Sequence, residues 1–187
     1  MSSLHLAQAI DLIHAHSGDG VVVCSGYPLA FWLDQQGQTP FMLPVVDCEG
    51  DTLPLALGIA LAKPQHKVIV LQSSESMRAS LPSLATVGHN YPTNLFHFVF
   101  ALVSEIPSPE LDFVATAAAA GYLESQHFAD LELFASEISS FLASAGPKFA
   151  CLDTVTPVFK HQLPHFLFRD SLSSIKKGFS TLSRKAH

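Results

Sequence analysis

The sequence predicts an α/β protein with a doubly wound parallel sheet, and three observations carry that prediction. Short apolar runs, among them VVVCSG (21–26), KVIVLQ (67–72), NLFHFVFAL (94–102) and PKFACLDTV (147–155), alternate with longer helix-like segments. The runs do not alternate polar with apolar, which is the pattern of strands covered on both faces. Glycine, proline or a polar cluster bounds each of them.

Taken in order, LHLAQAIDLIHAH (4–16) places Leu6, Ala9, Ile10 and Ile13 on one side at helical spacing, and SGDG stops the helix. The 21–26 run is the first strand. GDTLPLALGIALAKPQHK (50–67) is small, apolar and helix-favouring, closes at Lys63-Pro64, and feeds the second strand. A Ser-Ser-Glu-Ser corner (73–76) follows, and Pro82 suits the first turn of a helix ending near Val87, since its missing N–H would have no partner there. NLFHFVFAL is the third strand. PELDFVATAAAAGYL is a helix with Gly121 at its end, ADLELFASEISSFLASAG is amphipathic with a Gly-Pro stop, and PKFACLDTV is the fourth strand. In such sheets ligands sit beyond the carboxyl ends of the strands, where strand order reverses. The candidate loops are therefore 24–28, 72–76 and 101–105, with 47–51 as a fourth.

The composition, 48% apolar and 14% charged, is that of a packed globular protein. Residues 1–159 carry four Lys/Arg against fifteen Asp/Glu (4 − 15 = −11), and residues 160–187 carry six against one (6 − 1 = +5). We expect one α/β domain over 1–159 and a basic amphipathic tail helix over 160–187, in which Phe168, Leu172, Ile175, Phe179 and Leu182 form an apolar seam. Basic residues confined to so short a segment, with no base-stacking aromatics along a groove, argue against nucleic acid. No apolar run reaches a membrane-spanning length, and the first residues have neither a basic start nor a small-residue cleavage site; a cytoplasmic, soluble protein is expected. Cys24, Cys48 and Cys151 are odd in number and lack CxxC spacing, so they read as buried free thiols. Neither His14/His16 nor His161/His165 has the spacing of a metal-ligand pair.

The order of VVVCSGYPLAFWL, FMLPVVDCEGDTLPLALGIALAKPQHKVIVLQSSESM, SLATVGHNYPTNLFHFVFAL and GPKFACLDTV resembles the diphosphate-binding (PP) domain of thiamine-diphosphate-dependent 2-oxoacid decarboxylases. Within that family the likeness is to the small subunit of sulfopyruvate decarboxylase and the matching half of phosphonopyruvate decarboxylase, over roughly 18–155. The resemblance implies the thiamine-diphosphate-binding fold, a lyase relative, and thiamine diphosphate held through Mg²⁺ as cofactor. It also implies which positions correspond to the cofactor site: Ser25 and Gly26 after the first strand; Cys48, Glu49 and Gly50, with Asp47, in the family's G-S-M-G stretch; Ser73, Ser74, Glu75 and Ser76 in its G-D-G-S; and Leu102 at its metal-binding Asn. Both metal ligands are replaced, so the resemblance supplies no metal site here, and it indicates no catalytic residue. The family's post-Asn loop is shortened to VSEIPSPE (103–110).

Several positions admit two readings. The serines could line an anion hole at a helix start or serve as turn and cap residues. Glu49 could be a site residue or a surface carboxylate favoured by a helix dipole, and Cys48 beside it a thiol nucleophile only if a histidine were brought near. Glu75 could replace the lost metal ligand or oppose a phosphate. For function the sequence leaves two possibilities: a PP-like subunit, non-catalytic or atypical, that has lost the Mg-diphosphate motif; or an active decarboxylase small subunit using the cofactor in a non-standard way. In either case the resemblance implies a homo-oligomer, or a hetero-oligomer with a pyrimidine-binding-domain subunit. Tyr27, Phe31 and Trp32, just past a strand end, are candidates for that contact.

Overall fold

The computed structural model describes residues 3–46, 48–103 and 111–155, together with Ser173, Lys176 and Lys177, which are helical. The elements run α1 (Leu6–Ser17), β1 (Val21–Ser25), α2 (Tyr27–Gln36), β2 (Met42–Val45), a 3-10 turn (Glu49–Asp51), α3 (Thr52–Ala62), β3 (Val68–Ser73), α4 (Ser74–Asn90), β4 (Leu95–Leu102), α5 (Phe113–Ala120), β5 (Glu124–Phe128), α6 (Leu131–Ala143) and β6 (Lys148–Thr154). Six strands form one parallel sheet in the order β2-β1-β3-β4-β6-β5.

The period of two along each strand sorts the core into two layers. Val22, Cys24, Ile69, Leu71, Phe96 and Phe98 face α1, α2 and α6. Val21, Val23, Val70 and Val99 face α3, α4 and α5. The doubly wound parallel sheet expected from the sequence is thus the observed fold.

Six strands stand where pattern alone gave four, and the two extra ones are the sheet's edges. In β2, Pro44 breaks the strand signal, and an edge position tolerates a residue without a ladder N–H. In β5, Glu-Ser-Gln-His-Phe carries no apolar run because only one neighbour, β6, covers it. Helix α2 is a further addition, starting directly after β1 with Pro28 in its first turn.

Pro82 does not open a helix. Helix α4 starts at Ser74, runs 17 residues to Asn90 and passes straight through Pro82. The start is set by Ser73, which is extended and whose hydroxyl accepts the Ser76 N–H, an N-cap sited immediately after β3. Met77, Ser80, Leu84 and Val87 then bury one face at helical spacing, while exposed Pro82 forgoes one backbone hydrogen bond on the solvent side. The tail seam and most of the 103–110 loop lie outside the described residues.

Candidate functional site at the strand-order switch

From β1 the chain steps outward to β2 and then returns across β1 to β3, so strand order reverses between β1 and β3. At their carboxyl ends the 3-10 turn, the start of α4 and Gly26 come together. Gly26 has φ 68° and ψ −156°, a conformation that glycine alone adopts freely. It also has no room for a side chain: a Cβ there would sit 2.5 Å from Ser73 Oγ and 2.9 Å from Ser76 Oγ.

The serines and Glu49 form one closed hydrogen-bond chain. Ser73 Oγ accepts the Ser76 N–H at 3.1 Å and donates to Ser76 Oγ at 3.1 Å; Ser76 Oγ in turn donates to the Glu49 carboxylate. Ser73 and Ser76 are buried and Glu49 is half-buried. Ser73 is the N-cap of α4, and Glu49 is turned inward onto that helix's first turn, where the helix dipole favours a carboxylate. Glu75 is exposed on that same turn. Its neighbour is Tyr27, whose hydroxyl donates to the Phe100 carbonyl. Burial first, then the Glu75 charge, push that hydroxyl well above the ordinary tyrosine range, with contacts to Ser74 opposing in part. Buried Cys24 is also pushed up, by burial and then by Glu49.

A second polar chain, unforeseen from sequence, braces the 3-10 turn from beneath. Gln72 reaches the Glu49 carbonyl at 3.4 Å and Ser80 Oγ at 3.0 Å, and Ser80 Oγ lies 3.2 Å from the Gly50 carbonyl. Behind Gln72, His97 Nε2 bonds its amide oxygen at 2.9 Å, and His97 Nδ1 lies 3.3 Å from the Tyr122 hydroxyl. Burial pushes the His97 pKa down to about 3, so the ring is neutral, with Nε2–H donating to Gln72 and Nδ1 accepting from Tyr122. The available signal was the polar residue within each apolar strand, Gln72 in VIVLQ and His97 in LFHFVF.

Other predicted positions stay apart from this cluster. Leu102 is 38% exposed at the end of β4. Cys48 is exposed, a correction to the expectation of three buried thiols, because it sits on the turn ahead of Glu49 with only the Val46 carbonyl near its sulfur. Gly50 packs against Ala79 of α4. Ser25, fully buried, ends β1 opposite Val45 of β2, and its hydroxyl has no hydrogen-bond partner. Asp47 lies outside the described residues. Trp32 is 1% exposed and packed in the core, so it is not free to dock a partner as expected, while Tyr27 and Phe31 are half-buried at the edge of that core. Among the described residues no group of three or more His, Cys, Asp or Glu is arranged to hold a metal ion.

No protein-family model matches the chain. It is 32% identical over 124 residues to a phosphonopyruvate decarboxylase of Streptomyces viridochromogenes, covering 63% of this chain and 30% of that protein. Its fold is similar to that of a 4-hydroxybenzoylformate decarboxylase, thiamine diphosphate-dependent, of Rhodococcus jostii RHA1 (TM-score 0.68, 20% identity, 84% of this chain and 34% of that one). It is similar in the same way to benzoylformate decarboxylase of Polynucleobacter necessarius (TM-score 0.66, 19% identity, 82% and 33%). The chain thus spans about a third of the length of each. The likeness in sequence and fold fits the diphosphate-binding domain of thiamine-diphosphate-dependent decarboxylases.

Proposed function

We propose that this chain is a PP-domain-like subunit related to the thiamine-diphosphate-dependent 2-oxoacid decarboxylases whose Mg-diphosphate cradle is lost, leaving a non-catalytic or atypical member. The observation that carries this reading is the closed Ser73–Ser76–Glu49 chain at the start of α4. A diphosphate at a helix start needs free N–H donors, close backbone approach and a cation. Here the Ser76 N–H is already accepted by Ser73, and serine side chains fill the space beside Gly26. The Leu102 side chain offers no oxygen ligand at the position corresponding to the family's Asn.

The charge works the same way. One carboxylate about 4 Å from a phosphate charge costs roughly 1 kcal/mol in water and about 4 kcal/mol at an effective dielectric near 20. Glu49, turned inward, is better sited for this than exposed Glu75. The residues present therefore do not fit magnesium and thiamine diphosphate, and no reaction step is derived through them. What remains is a rigid α/β body, proposed to span 1–159 with a basic tail over 160–187, that works in a cytoplasmic oligomer with copies of itself or with a pyrimidine-domain subunit. No helix among the described residues is long and apolar enough to cross a membrane.

A second reading, an active small subunit holding the cofactor in a non-standard way, is favoured by one feature. The Ser25 hydroxyl is buried, unpartnered and at the strand-order switch. Calorimetric titration with magnesium and thiamine diphosphate at micromolar concentrations separates the two. The first reading expects no isotherm; a 1:1 isotherm that EDTA abolishes overturns it.

A further inference from the structure

The two ends of the sheet differ in charge and in what they expose. At the carboxyl end stand Glu49 and Asp51 of the 3-10 turn, Glu75, Asp112 and Glu132 at the heads of α4, α5 and α6, and Asp153 near the end of β6. Of the four Lys/Arg in 1–159, Lys63, Lys67 and Lys148 lie at the amino end. Only Arg78 is near these carboxylates, and it is folded over the Phe113 ring, 5.6 Å from its centroid. Helix starts favour acidic residues, and Asp112 caps α5, so the carboxylates alone define no site.

The same end also exposes apolar surface. Leu102 and Val103 at the end of β4, Leu111 ahead of α5 and Leu133 in the first turn of α6 are all exposed. Helices α5 and α6 cover opposite faces of the sheet, so these side chains surround the end of β6, and grouped apolar surface of this kind marks an interaction site. The chain also departs from here. The Val155 N–H donates to the Leu4 carbonyl at 3.0 Å and the Val155 carbonyl accepts the Leu6 N–H at 3.3 Å, which pins the point from which 156–187 continues.

We propose that the chain's own basic tail docks across this end, with the seam of Phe168, Leu172, Ile175, Phe179 and Leu182 seated on the exposed apolar side chains. Lys176 and Lys177, helical and exposed, form the polar rim beside the carboxylates. Charge selects this occupant. Residues 160–187 carry six Lys/Arg against one Asp/Glu, opposite in sign to the end from which they leave. Length agrees. A helix over 168–182 is about 22 Å long, against roughly 24 Å for six strands about 4.8 Å apart. The tether 156–167 reaches at most about 40 Å. It holds the tail at an effective concentration on the order of millimolar, so a weak contact suffices. A helix of that length lying over β6 extends to the strand-order switch, and a cationic segment of the protein itself then closes the way to Glu49 and Gly26.

This goes beyond the proposed function, and its test needs no cofactor, so the two can fail separately. Hydroxyl-radical footprinting of the full chain compares like with like: Leu133 is 46% exposed at the carboxyl end, against 52% for Leu61 and 53% for Leu123 at the amino end. In the parent, Leu102 and Leu133 should oxidise at least about threefold more slowly than Leu61 and Leu123, as for a tail docked about two-thirds of the time. Ile175→Asp with Phe179→Asp should bring all four to parity while leaving the rates of Leu61 and Leu123 unchanged. Lys176→Glu with Lys177→Glu, at exposed positions that leave the fold intact, should release Leu102 and Leu133 in part, the difference from the parent shrinking as salt is raised. Carbodiimide cross-linking of mixed isotopically light and heavy protein should join Lys176 or Lys177 to Glu75, Asp112 or Glu132 within one chain. Parity in the parent, protection that persists in both variants, or cross-links only between light and heavy chains, which would seat a second copy's tail there, would each overturn the proposal.

Discussion

Replacing Gly26 by alanine tests the strand-order switch at the position where backbone and side chains meet most closely. At φ 68° and ψ −156° a non-glycine residue carries about 1–3 kcal/mol of strain. The new Cβ would also lie 2.5 Å from Ser73 Oγ and 2.9 Å from Ser73 Cβ, so Ser73 must move and release the Ser76 N–H, an N-cap whose loss costs about 1 kcal/mol. Together these give a destabilisation of about 2–4 kcal/mol. Urea denaturation should show it as a lower midpoint with an unchanged slope. Ser73→Gly by itself should cost only a few tenths of a kcal/mol, because glycine is a tolerable N-cap. In the double variant the clash with Ser73 is gone, and the strain and the 2.9 Å approach to Ser76 Oγ remain. Gly26→Ala should therefore cost less in the Ser73→Gly background than in the parent, with a coupling near 1 kcal/mol. A Gly26→Ala protein within about 0.5 kcal/mol of the parent, or strictly additive effects, would refute the packing described for this turn.

Two further outcomes follow from the buried polar groups. His97 titrates at about 3 in the folded protein and near 6.5 unfolded, so the unfolded chain alone binds its proton between those values; its contribution is complete above about pH 6.5 and falls by up to about 1.4 kcal/mol per pH unit as pH drops towards 3. Stability measured across this window should decline less steeply in His97→Gln than in the parent, and equal slopes would count against a neutral buried ring. Lys148 is 4% exposed and paired with Glu124, with the Ser144 hydroxyl 2.5 Å away and the Phe141 ring 4.9 Å away. Glu124→Ala should cost about 1–3 kcal/mol by stranding that ammonium, and adding Lys148→Met should recover most of the loss in chemical denaturation; no recovery would show that the pair itself, and not the stranded charge, is what matters.

The central strands were legible because β1, β3, β4 and β6 are covered on both faces and must be apolar throughout. The edges were not: β2 needs no ladder hydrogen bond at Pro44 on its open side, and β5 can be polar with one neighbour. The helix start at Ser74 was misplaced because Pro82 is a strong local signal, and it was overridden by a cap at Ser73 and by burial of Met77, Leu84 and Val87 further along. Of the site, the location was readable from strand order, and the resemblance supplied its positions. The inward turn of Glu49 was not readable, since it depends on a contact between residues 27 positions apart. Gln72, Ser80 and His97 likewise meet only once β3, α4 and β4 are assembled.

The loss of the diphosphate cradle is tested most directly by titrating magnesium and thiamine diphosphate, side by side, into the parent and into a variant carrying Ser73→Gly, Ser74→Asp, Glu75→Gly and Leu102→Asn. The changes reopen the turn beside Gly26, return a carboxylate and an amide oxygen as ligands, and move the turn's negative charge from position 75 to the ligand position 74. A lost cradle predicts no heat of binding from the parent and an EDTA-sensitive isotherm from the folded variant. Binding by the parent would contradict it, and a folded variant that stays silent would show that these four positions are not the main lesion and point to Glu49 or the shortened 103–110 loop.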